Sequence, residues 1–188
     1  MSPRALLAGL SATLAVALAA PDAAAHRERY PKRLAVAIAR EGVAVTIDYG
    51  VPRGELSASL RRLFDRDRSG ALDDKERAQL SRQLTREATA FLELTLDGRP
   101  LALRPRTAAL DAGGGEDERL SLHLELSAER ALPPGDHRLR VADRHKDRRV
   151  AVPLAVTLGA GVSYRARPPL LLTVDGDRPA TLELRAAK

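Results

Sequence analysis

Leu120-Ser121-Leu122-His123-Leu124-Glu125-Leu126 is the stretch that decides the fold. Leucine alternates with a polar residue throughout it. In a β-strand successive side chains point to opposite faces, so this period makes one face apolar and leaves the other in water. A helix would spread the same leucines around its circumference. The stretch reads as a half-buried strand, with His123 on the solvent face beside Ser121 and Glu125.

The same period recurs on both sides. Leu34, Val36 and Ile38 alternate, Glu41-Gly42 reads as a turn, and Val43, Val45, Ile47 and Tyr49 alternate again, which predicts a hairpin. Leu92, Leu94 and Leu96 lead to Asp97-Gly98, a strong hairpin turn, with Leu101 and Leu103 alternating beyond it. Ala108 to Asp117, with Gly113, Gly114 and Gly115 inside it, reads as a flexible loop. Pro133-Pro134-Gly135-Asp136 is a turn before a strand at Leu139 and Val141. Val150 to Leu158, Leu170 to Val174 and a segment around Leu182 and Leu184, entered through Asp175-Gly176, add further strands. Roughly seven to nine short strands with Gly and Pro turns predict a mainly β fold, an antiparallel sandwich or a partial barrel.

One region breaks the series. Leu56, Leu60, Leu63 and Phe64 recur at helical spacing, with Arg61 and Arg62 on the other face. Ala78, Leu80, Leu84, Ala88 and Phe91 continue at that spacing, which predicts a second helix from about Asp73 to Ala90. The fold expected is therefore α+β overall: one β-rich domain over 26–188 with a helix–loop–helix inserted at about 54–90.

Between the two helices lies Asp65-Arg66-Asp67-Arg68-Ser69-Gly70-Ala71-Leu72-Asp73-Asp74-Lys75-Glu76. Calcium takes about six to eight oxygen ligands at roughly 2.3–2.6 Å. A short loop supplies them only if oxygen-bearing side chains alternate and the chain turns sharply. Asp65, Asp67 and Ser69 stand at positions one, three and five, and Gly70 at six permits the turn. Ala71 offers its backbone carbonyl, Asp73 ligates directly or through water, and Glu76 closes the shell with both carboxylate oxygens. Leu72 anchors the turn to the helices. This pattern resembles the EF-hand family, down to Phe64 just before the first candidate ligand. The resemblance implies one calcium ion on Asp65, Asp67, Ser69, Ala71, Asp73 and Glu76. Ser69 is neutral, and Arg66, Arg68 and Lys75 add positive charge, so the site is expected to be weak, with a dissociation constant of order 10⁻⁴–10⁻³ M. A structural clip fits such a site better than a sensor.

Composition bounds the rest. Of 188 residues, 44% are hydrophobic and 3% aromatic, with no Trp, so a core is built from Leu, Val, Ile and Ala and aromatic stacking platforms are absent. The net charge is +6 and the pI about 10.3, but the basic residues are scattered among 25 acidic ones, and no nucleic-acid role is expected. Residues 1–25 read as a signal peptide: Arg4, an apolar run from Ala5 to Ala20, Pro21, and cleavage after Ala25 in Ala23-Ala24-Ala25. The expected location is periplasmic or secreted, with no later membrane span. Without cysteine there are no disulfides, thiolate zinc sites or lipid anchor.

No G-x-S-x-G elbow, phosphate loop or buried carboxylate pair is present, so no enzyme is expected. His26 at the new N-terminus offers an amine and an imidazole to copper or nickel. His123, His137 and His145 read as ordinary surface histidines. The leader, hairpin, acidic loop and Leu94-Thr95-Leu96-Asp97-Gly98-Arg99-Pro100-Leu101 together are similar to the extracytoplasmic domain of bacterial nickel permease-type proteins. That likeness implies at most a metal-related periplasmic module. The alternatives to a calcium-stabilised binding module are thus a nickel or copper accessory protein, and an envelope interaction protein with an unidentified partner.

Overall fold

Alternating apolar residues need two faces to bury against each other, and the computed structural model supplies them as two packed sheets. It describes residues 31–144, 151–168, 172–174 and 178–187. The expected leader, His26, His145 and the turn at Asp175-Gly176 lie outside the described residues.

The first hairpin pairs β1 (Lys32–Ala39) with β2 (Gly42–Val51) around Arg40 and Glu41. After it come helix α1 (Glu55–Phe64) and helix α2 (Asp74–Thr89). Strands β3 (Leu92–Leu96), β4 (Arg99–Pro100), β5 (Arg104–Asp111) and β6 (Leu120–Ala128) follow. Then come β7 (Gly135–Asp143), β8 (Val152–Leu158), β9 (Val162–Tyr164), β10 (Leu172–Val174) and β11 (Ala180–Ala186). One sheet has six strands in the order β10-β8-β1-β2-β6-β5, and the other has five in the order β4-β3-β7-β11-β9.

The inner faces are those the alternation predicts. Val45, Ile47, Leu122, Leu124, Leu139, Val141, Leu182 and Leu184 are all buried in one core. On the outer face of the six-stranded sheet, Asp48, His123 and Glu125 remain exposed. Asp97 and Gly98 both have positive φ, 53° and 75°, as a two-residue hairpin loop between β3 and β4 requires.

Several details differ from the sequence reading. The sandwich is not wholly antiparallel: β1 pairs with β8 in parallel, Leu34 opposite Leu154. β4 is short: the Leu101 amide still donates to the Leu94 carbonyl at 2.9 Å, but the chain then crosses to the other sheet as β5, so Leu103 does not extend it. The sequence reads Ala108 to Asp117 as loop, yet β5 continues through Ala108 to Asp111. As an edge strand it has almost no buried side chain, so it carries no alternation to read. Leu63 is 72% exposed, whereas Leu56, Leu60 and Phe64 pack against the core.

Helix α2 lies against β2, β6 and β5, and β10 lies against β7 and β11. The helix therefore covers the part of the core beside β5, through Leu80, Leu84 and Ala88. This insert is one wall of the sandwich rather than an appendage. No helix among the described residues is long and apolar enough to cross a membrane.

Candidate functional site

The loop between the helices is held from both ends. Asp73 caps α2: its side chain accepts from the Glu76 amide at 2.7 Å, and Glu76 Oε2 accepts from the Asp73 amide at 3.1 Å. This reciprocal cap satisfies two amide donors that a helix start otherwise leaves unpaired. Glu76 Oε1 also accepts from the Arg66 amide at 2.7 Å. One buried carboxylate thus ties the first turn of α2 to the start of the loop.

Asp65 organises the middle. Its Oδ1 accepts from the Ser69 amide at 3.0 Å and its Oδ2 from the Gly70 amide at 2.9 Å. Asp67 Oδ1 accepts from the Ser69 amide at 3.0 Å, which holds the Asp67 carboxyl below the ordinary aspartate value. Two left-handed residues make the tight path possible, Gly70 at φ 82° and Arg68 at φ 58°. Leu72 is buried in the core and pins the far side of the loop.

Three predicted ligands meet in space. Asp65, Asp67 and Glu76 each bring a carboxylate oxygen to within 4.8 Å of the others. Two oxygens on one calcium ion are at most about 5 Å apart, so the residues present fit such an ion. The Ser69 hydroxyl donates to the Ala71 carbonyl at 2.9 Å, which makes two further expected ligand oxygens neighbours. Asp73 stands outside that triad, its carboxylate accepting from the Glu76 amide in the helix cap.

The histidines separate into two kinds. His123 is exposed as expected, and its Nδ1 lies 2.8 Å from Asp48 Oδ1 across the strand pair; this hydrogen bond raises its pKa. His137, which the sequence places on the surface, is buried in β7. Its two ring nitrogens reach Asp97 Oδ2 at 2.8 Å and the Pro133 carbonyl at 2.7 Å. Each described histidine is thus already partnered by a carboxylate.

Sequence reasoning missed the other side of the site. The glycine segment is folded against α1: the Gly54 amide donates to the Asp117 carbonyl at 2.7 Å, and buried Ser57 donates to the Glu118 carbonyl. Arg61 reaches the Ala112 and Glu118 carbonyls. The Glu118 carboxylate accepts from the Gly114 amide at 2.8 Å, and the Gly114 and Gly115 amides hold its pKa low. The contacts from α1 to this segment span over fifty positions of sequence, and no local spacing announces them.

No family model matches the chain, and no curated protein matches it either.

Proposed function

We propose that this chain is an exported β-sandwich that binds one calcium ion in an EF-hand-type loop, with the ion acting as a structural clip. The observation that carries the reading is the convergence of Asp65, Asp67 and Glu76 oxygens within 4.8 Å. A left-handed Gly70 and the reciprocal Asp73–Glu76 cap of α2 support the reading.

Asp65, Asp67, Ser69, the Ala71 carbonyl, Asp73 and Glu76 would hold the ion. Calcium supplies divalent charge there, and the chain's own residues do the rest. Asp65 and Asp67 follow α1, whereas Glu76 sits in the first turn of α2. Neutralising their mutual repulsion fixes the angle between two helices that form one wall of the core. Arg66, Arg68 and Lys75 lower the local negative potential, so affinity is of order 10⁻⁴–10⁻³ M, the range of extracellular modules. Export rests on the leader read over residues 1–25, and mass spectrometry of the processed protein should find it beginning at His26.

Calorimetry of the parent and of Glu76→Gln tests the calcium reading. The variant removes a charge and one strong ligand oxygen, and we predict that it loses most of the affinity. Equal heats in the two proteins would sink the assignment.

A further inference from the structure

We propose that the cleft between the acidic loop and the glycine segment binds a small organic oxyanion, a carboxylate or a phosphate monoester, on Arg61, Arg68 and Arg77. The cleft has a volume of about 390 Å³, within the range of small-molecule sites, roughly 300–1,000 Å³. Its charged lining is Arg61, Arg62, Arg68 and Arg77 against Asp65 and Glu116, with Ala71, Leu72 and Ala112 giving an apolar part.

The balance is more positive than that count suggests, because the charges are unequally used. Arg62 is paired with Glu116 at 3.0 Å and Glu55 at 2.6 Å. Among the described residues, Arg61, Arg68 and Arg77 have no carboxylate within ion-pair distance. Arg77 spends Nε on the Leu72 carbonyl at 3.0 Å, which fixes its stem. Arg61 donates through Nη2 to backbone carbonyls, while its Nε is buried without a hydrogen-bond partner.

Burial disfavours the Arg61 cation most. Glu118 opposes that effect and nearby Arg77 adds to it. An anion in the cleft would offset both penalties. Guanidinium forks match the paired oxygens of carboxylates and phosphates, which is why these two head groups are named. The glycine amides do not contribute, since Asp111 and Glu118 already hold those of Gly113 and Gly114.

The proposal does not depend on calcium. Calorimetric titration of the full chain, in metal-stripped low-salt buffer, with benzoate, phenyl phosphate and neutral benzyl alcohol tests it. Either anion should bind and the alcohol should not, and the tighter anion identifies the head group. Arg68→Gly and Arg77→Met should each weaken binding about tenfold, the scale of one charge-assisted contact. Arg33→Gln, on the outer face of β1, should leave it unchanged. No anion binding, equal binding of the alcohol, or an equal loss in Arg33→Gln would overturn the proposal. Unaltered binding in both cleft variants would overturn it too. Because metal is absent throughout, a failure of the calcium assignment leaves these results readable.

Discussion

The ammonium nitrogen of Lys32 lies 2.5 Å from Oδ2 of Asp143, and both side chains are buried. Lys32 opens β1 and also donates to the Ala88 carbonyl at 2.6 Å, near the end of α2. Asp143 closes β7 in the opposite sheet, and its Oδ1 is buried without a hydrogen-bond partner. Burial lowers the Lys32 pKa against the pull of Asp143. One ion pair therefore joins both sheets and the inserted helix, in a setting where desolvation opposes it.

Removing one partner leaves the other charged and dry. Lys32→Met and Asp143→Asn are each expected to cost about 3–5 kcal/mol. The double variant Lys32→Met/Asp143→Leu should regain most of that, because an apolar pair needs no solvation. Urea unfolding measures all three. Single variants within about 1 kcal/mol of the parent would mean that the pair is not sealed from water.

His137 makes stability depend on pH. Both ring nitrogens face acceptors, and only the charged imidazole has two N–H donors to offer. Burial disfavours that charge, but Asp97 and the Pro133 carbonyl outweigh it, and the folded pKa is raised. A raised folded value means the stabilisation is complete below the unfolded histidine pKa, about 6.5. It fades as pH climbs through the folded value. His137→Gln should therefore flatten the alkaline fall in Tm, with a loss on the order of 1 kcal/mol at pH 5.5. Parallel Tm–pH curves for parent and variant would refute the role.

The glycine segment gives a paired test. Gly113 has φ 59°, and a Cβ there would meet the Glu118 carboxylate, whereas a Cβ on Gly114 meets nothing within 4 Å. Gly113→Ala is expected to destabilise by about 1–2 kcal/mol through backbone strain and loss of the Glu118 contacts. Gly114→Ala should be near neutral. Similar denaturation midpoints for the two variants would show that the Glu118 clasp does not order this segment.

What the sequence made legible follows from the range of each interaction. Leu120 to Leu126, the β1–β2 hairpin and the Asp97-Gly98 turn were readable, since period and turn chemistry act over a few residues. The Asp65–Glu76 loop was readable for the same reason. The edge strand β5 was not, because nearly all its side chains are exposed and its pairing comes from β6. The parallel β1–β8 contact, the hydrogen bond of His137 to Asp97, and the clasp of Glu118 on α1 join distant segments. His137 shows the limit most clearly: its strand was anticipated, but only the fold brings Asp97 to it.

Arg68 links the two proposed ligands with opposite signs. It stands at φ 58°, where a side chain costs roughly 1 kcal/mol that glycine avoids. It also places a positive charge in the acidic loop and on the rim of the cleft. Arg68→Gly should therefore raise calcium affinity about two- to fivefold by removing Coulomb repulsion. The same change should weaken phenyl phosphate about tenfold, as a lost charge-assisted contact. Calorimetry with each ligand on one protein preparation reads both effects. A shift of both affinities in the same direction would mean that the substitution acts by reshaping the loop rather than by deleting a charge shared between two sites.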